Sequence, residues 1–205
     1  MSRLVTNAIR STAASSDAMT IDSAGKPSFP NGGVGKILQV VQTIKKDVFS
    51  QSLTPGTTST DITGLTVTIT PSNASNKLLL DARVNAGPNN STGMYAFFYK
   101  DGSLMTDALG DAGNDGNGSA LRRISFGSQG GTLFDWENMH GNYLDTAGGT
   151  SAITYSIRLQ TPYVGSASGA ANPIYVNRCG DPDEARSDWL LARFYSTFTV
   201  MEVAA

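Results

Sequence analysis

Ile153-Thr154-Tyr155-Ser156-Ile157-Arg158-Leu159-Gln160 alternates apolar and polar side chains without a break. Side chains on a strand point to opposite faces at every second residue, so this stretch offers one face to a core and one to water. The same alternation recurs where Leu65, Val67 and Ile69 interleave with Thr66, Thr68 and Thr70. It recurs again where Leu78, Leu80, Ala82 and Val84 interleave with Lys77, Asp81 and Arg83. No comparable helical pattern competes with it. The chain is expected to be all-β, an antiparallel β-sandwich.

Strand signals follow one another from Lys36 onward. KILQVVQTI comes first, then KKDVFS, then TSTDITGLTVTITP, stopped by Pro71 and the turn SNASN. KLLLDARVNAG ends at Gly87 and Pro88. In MYAFFYKDGSLM, Asp101-Gly102 separates two apolar runs and supplies the positive φ angles of a type I′ hairpin turn. DALGDAGNDGNGSA is too rich in Gly, Asn and Asp for regular structure and reads as a surface loop. ALRRISFG, a strand near TLFDWENM, AITYSIRLQTPY, PIYVNR and LLARFYSTFTVMEV complete the series. Roughly nine or ten strands at this spacing predict a jelly-roll-like sandwich. The last strand is apolar on both faces, with Phe194, Phe198 and Val200 on one and Tyr195 and Met201 on the other. Such a strand is expected either at the centre of a sandwich or against another subunit, and Tyr195 and Met201 are its candidate subunit contacts.

Residues 1–34 differ from residues 35–205. They are rich in Ser, Ala, Thr and Gly, carry few large apolar side chains, and end in Pro27, Pro30 and a glycine cluster. They read as an extended N-terminal arm that cannot build a core by itself, either as a disordered tail or as an arm that orders against a partner. Leu4, Val5 and Ile9, flanked by Arg3 and Arg10, are its candidate docking residues.

The chain has 205 residues, enough for one sizeable domain plus an extension, and a chain of this size buries roughly 70% of its unfolded surface without metal or disulfide staples. Cys179 is the sole cysteine, so no intrachain disulfide can form. Net charge is −2 with no basic stripe, which argues against nucleic-acid binding. The first 20 residues hold no apolar run of signal-peptide length, and no segment approaches the ~18 apolar residues of a membrane span. Synthesis in a cytoplasm without membrane insertion is the expectation.

Several chemistries are weighed against the residues. NGGVGK falls short of a phosphate loop, because Pro30 stands at the first glycine position and Ile37 follows Lys36. A Ser-His-Asp triad would have to use His140, the only histidine, and no nucleophile motif accompanies it. One His and one Cys make zinc improbable. Asp111 and Asp115, in a loop with Asp107, Asn114 and Asn117, are weak calcium candidates. The EF-hand glutamate position counted from Asp111 falls on Arg122. Glycan cleavage by paired carboxylates usually needs a long groove, and this body has neither the length nor the repeats of the spikes that carry one. No enzymatic activity and no cofactor are expected. Trp136, Tyr163 and Trp189 are candidate glycan contacts, with core or subunit burial as the other reading of each.

GKILQVVQT, GLTVTITPSNASNKLLLDARVN, YKDG, LDTAGGTSAITYSIRLQ, YVNR and STFTVMEV occur in one order along the body. With these pieces the body resembles the C-terminal β-rich domain of tail fibres and related virion fibre proteins of tailed bacteriophages of the cyanophage and marine-phage type. DAMTIDSAGKPSFP looks like the linker that precedes such domains. The chain departs from that pattern in having no long shaft, no collagen-like repeat and no heptads. The resemblance implies a virion structural protein, a short homotrimeric fibre or knob. Its arm would attach to tail, baseplate or capsid proteins, and its distal surface would contribute to attachment to host polysaccharide. A capsid decoration protein or head fibre is the alternative, and a carbohydrate-binding module outside a virion is a further one.

Overall fold

The structure is a computed structural model that describes residues 6, 8–10, 12–13, 15–25, 27–28, 36–54, 56–88, 94–111, 124–128, 137–161, 172–179 and 193–205. In the N-terminal region the described residues pair as a small antiparallel meander, β1 (Ala8–Ile9), β2 (Met19–Ile21) and β3 (Pro27–Ser28). The alternation that marks the body is too short here to be read from sequence. Pro27 sits on an edge strand, where a missing N–H is tolerated.

The body follows with β4 (Ile37–Lys45), β5 (Phe49–Leu53), β6 (Thr66–Ile69), β7 (Lys77–Pro88) and β8 (Met94–Lys100). Next come β9 (Ser103–Leu104), β10 (Phe126–Ser128), β11 (Glu137–Thr146), β12 (Ile153–Gln160), β13 (Asn172–Val176) and β14 (Ser196–Val203). No α-helix occurs among the described residues, and a short 3-10 turn covers Thr106–Ala108.

The pairings are nested, first strand with last. β4 and β5 pair β14 and β13, β6 pairs β12, β7 pairs β11, and β8 pairs β10, all antiparallel. This long folded hairpin closes on itself where β7 also pairs β13 and β14, and β8 also pairs β12. One sheet therefore runs β4/β5, β14/β13, β7, β11, and the other runs β6, β12, β8, β10. That connectivity is a jelly roll.

The inward residues are those the alternation assigns. Leu78, Leu80, Ala82, Val84, Phe198 and Val200 of one sheet face Val67, Ile69, Phe98, Tyr155, Ile157 and Leu159 of the other, all buried. Phe98 packs on Phe198 at 6.0 Å and on Phe126 at 5.1 Å between ring centroids, tying the sheets at the centre. The Asp101-Gly102 hairpin forms as expected. Both residues have positive φ (47° and 77°), and Lys100 faces Ser103 across the turn.

Two features depart from the sequence reading. β11 runs ten residues, to Thr146, through a stretch read as having no strand after Met139. Gly141, Asn142 and Asp145 are weak strand formers, and the strand is imposed by continuous pairing with β7. Gly141 is itself required there, because a Cβ would overlap the Phe126 ring. The other departure is at the start of the last strand: LLARFYSTFTVMEV was read as one strand, but β14 begins at Ser196, so Phe194 and Tyr195 precede it. Just before β14, Arg193 forms an isolated antiparallel bridge with Arg178, and Phe194 N–H donates to Asn177 O at 3.1 Å.

Polar side chains hold both ends of β14. At its start, the Ser196 hydroxyl donates to Asn177 Oδ1 at 2.6 Å and accepts from Asn85 N–H at 3.0 Å. Asn177, fully buried with φ 67°, donates to the carbonyls of Lys45 and Asp47, each at 2.9 Å. This is a position where the short amide side chain suits left-handed backbone. At the other end, the buried Glu202 carboxylate accepts from Asn76 (2.6 Å), Gln39 (2.6 Å) and both the N–H and hydroxyl of Ser72 (2.7 Å each). Burial would raise its pKa, but these hydrogen bonds outweigh burial and hold it at about 2 against an ordinary 4.5.

Gly141→Ala should destabilise the fold by about 1–3 kcal/mol through overpacking against Phe126, read as a lowered midpoint in urea. Because the folded pKa of Glu202 lies below its free value, its contribution is complete above pH 4.5 and is lost as pH falls toward 2. The shift corresponds to at most about 3 kcal/mol. Glu202→Gln should be less stable at pH 7 and lose less stability than the parent between pH 5 and 2.5; parallel melting curves across that range would contradict this assignment.

Candidate subunit interface

β14 lies at the centre of its sheet, between β4 and β7. Of the two positions open to a strand apolar on both faces, it takes the central one, and its outward face still carries apolar side chains. Phe198 and Val200 point into the core, while Tyr195 and Met201 point out.

The registers align these outward residues with those of the neighbours. Met201 lies beside Val40 of β4 on one side and Leu79 of β7 on the other, and Leu79 lies beside Leu144 of β11. The result is a row, Val40–Met201–Leu79–Leu144, crossing four strands on the solvent side. Val40 and Leu144 are 56% and 54% exposed. Ile44 and Tyr195, at 53% and 62%, extend the apolar surface toward the start of β14. Val40, Ile44, Tyr195 and Met201 line a shallow groove of about 850 Å³.

A polar band crosses the same face one register step away and is largely self-satisfied. Asp81 Oδ2 lies 3.0 Å from His140 Nε2, and Asp81 Oδ1 lies 3.9 Å from Arg83 Nε. Gln42 donates to Thr199 Oγ1 at 2.7 Å, Asn138 to Asn85 Oδ1 at 2.9 Å, and Asn85 to Tyr195 O at 2.6 Å. His140 is thus a surface residue in a lateral network. Polar groups that bond along the sheet present few unmet demands to a partner, and the apolar row then dominates the character of the face.

Of the residues singled out from sequence, Tyr195 and Met201 fall on this face. Ile9 is on β1, 49% exposed. Leu4, Val5, Asp115, Trp136, Tyr163 and Trp189 lie outside the described residues. Asp111 is exposed, and among the described residues no three His, Cys, Asp or Glu side chains come together to hold a metal ion. Cys179 is buried and unpaired with another cysteine. Sequence reasoning missed Val40, Ile44, Leu79 and Leu144. A signal existed for two of them: KILQVVQTI, like the last strand, has apolar residues at both odd and even positions.

No family model matches the chain, and no curated protein does. Among solved structures, it is similar to a chain in the structure of the infectious bursal disease virus Gt strain, with 15% identity, a TM-score of 0.44, and coverage of 92% of this chain and 42% of that one. The crystal structure of the infectious bursal disease virus VP2 subviral particle gives 18% identity, a TM-score of 0.38, and coverage of 82% and 38%. T=1 particles derived from infectious bursal virus give 16%, 0.40, and coverage of 88% and 39%. The chain spans about two fifths of those chains. At these TM-scores the likenesses assign neither family nor role.

Proposed function

We propose that this chain is a structural protein of a virion, a short fibre or knob of the tailed-bacteriophage type, whose copies associate through the outward face of the β4–β14–β7–β11 sheet. The observation that carries the reading is the apolar row Val40–Met201–Leu79–Leu144 on a face otherwise open to solvent. The sequence resemblance supplies the virion setting and the expectation of a homotrimer. It also supplies attachment through the arm, with Leu4, Val5 and Ile9 as docking residues. A role of the body in contacting host polysaccharide, with Trp136, Tyr163 and Trp189 as contacts, belongs to the same proposal.

Magnitudes decide how much of the face must take part. Fully burying a large apolar side chain is worth about 1.5–3 kcal/mol; Val40 and Leu144 are about half covered and Leu79 and Met201 more than half, so each offers about 1 kcal/mol at most. The four residues of the row together reach at most the low end of the roughly 4–15 kcal/mol that association costs in lost freedom. Association therefore needs Leu38, Ile44 and Tyr195 as well, and a charge placed within the row should break it. β4 adds a further reason for a partner, since among the described residues it lies at the edge of its sheet and carries exposed apolar residues.

Light scattering on the purified chain at micromolar concentration should give a multiple of the monomer mass, three being expected. Met201→Glu and Val40→Glu should each give the monomer with an unchanged far-ultraviolet dichroism spectrum. A well-folded wild-type monomer, or an oligomer indifferent to both substitutions, would rule the interface out.

A further inference from the structure

An open cleft of about 420 Å³ lies on another part of the body, between the β8–β9 hairpin of one sheet and β11 at the edge of the other. Its floor is an inter-sheet clamp. Asp145 of β11 receives Lys100 Nζ of β8 at 2.7 Å and the hydroxyl of the buried Tyr155 of β12 at 2.6 Å, both on Oδ2. Lys100 also donates to Thr146 O at 3.2 Å, which leaves one of its three N–H donors uncommitted. This clamp explains why the ion pair exists, but it does not explain the groups around it.

Above the clamp, Tyr143 is half-buried and its hydroxyl has no hydrogen bond to a described residue. The exposed Asp107 carboxylate and Ser103 hydroxyl likewise have no hydrogen bond to a described residue. The backbone that carries Ser103 and Asp107 is held by hydrogen bonds. Met105 N–H donates to Phe98 O at 3.0 Å and Ala108 N–H to Met105 O at 3.2 Å, setting the turn that carries Asp107. Leu104, 38% exposed, gives the cleft an apolar wall. Burial, and after it the charges of Asp107 and Asp145, raise the pKa of Tyr143, so its phenol is a hydrogen-bond donor at neutral pH.

The chemistry of this lining selects among ligand classes. A divalent cation would meet the Lys100 ammonium and no sufficient carboxylate set. An anion would meet Asp107 and Asp145. An apolar ligand would strand four polar groups. A neutral polyhydroxylated ligand satisfies all of them, since each of its hydroxyls both donates and accepts and its C–H face can lie on Leu104 and Tyr143. The geometry points to a saccharide-binding site in this cleft, with Asp107 as acceptor, Tyr143 and Lys100 as donors, and Leu104 as the apolar contact. The ligand class is that of the proposed function, on which this reading rests, and the described lining of the cleft shares no residue with the groove on the self-association face.

The test is saturation-transfer NMR on the full chain with a panel of neutral hexoses and their disaccharides. Transfer to at least one sugar is expected. Asp107→Asn and Tyr143→Phe should each weaken that sugar about fivefold, the value of one hydrogen bond, with unchanged melting temperature. Met201→Glu should bind as the parent does, which separates this site from the subunit interface. The proposal is overturned by no transfer from any sugar in the panel, or by transfer insensitive to both cleft substitutions. Binding of calcium or a free amino acid in the sugar's place would overturn it equally.

Discussion

The last strand holds the body together. β14 hydrogen-bonds on one side to β4, some of the first residues of the body, and on the other to β7. Its inward face reads Ser196, Phe198, Val200, Glu202, with polar residues at the two ends and apolar residues between. The apolar pair meets the opposite sheet through Phe98. The polar pair ties the strand ends to Asn177 and Asn85 at one end and to Gln39, Ser72 and Asn76 at the other. A buried carboxylate without such donors would be costly. With four of them, it specifies one register, because a one-residue slip would carry Glu202 to the outer face and leave the donors unmet. Nested pairing of this kind closes only when the final residues arrive, so its contacts are of long sequence separation and its folding is expected to be slow relative to helical proteins of the same size.

A central strand has its backbone fully paired, so its outward side chains are free to differ from those of an ordinary solvent-facing strand. Here they align with the outward side chains of three neighbours into one apolar row, while the adjacent register is occupied by polar groups that bond to one another. The opposite sheet shows a different solution. Its outward face carries Arg158 stacked 3.9 Å over the Tyr99 ring and paired to Asp61 at 2.6 Å, with Phe97 almost covered. One face of the sandwich thus pairs its outward charges and the other carries an apolar row, and that asymmetry supports the proposed self-association.

Legibility from sequence followed the range of the interaction that shapes each feature. The Asp101-Gly102 hairpin is decided by two residues and their φ preferences, and it was readable. The inward sets of β6, β7 and β12 are decided by period-two alternation within one strand, and they were readable. β11 was only half readable, because its strand character comes from β7 and its Gly141 is chosen by a ring from the other sheet. The candidate interface was readable at Tyr195 and Met201, where a single strand is apolar on both faces. It was not readable at Leu79 and Leu144, which look like ordinary surface residues until the register sets them side by side.

Alternation along the chain, by itself, determined that this protein is an antiparallel β-sandwich and which side of most strands faces the core, because side-chain direction on a strand is a local property. The tertiary structure alone decided which strands are neighbours. Backbone hydrogen bonds are the same whatever the side chains, so no single strand states its partner. Only the closed jelly roll brings Val40, Met201, Leu79 and Leu144 into one row, and sets the β8–β9 hairpin against β11 to form the cleft.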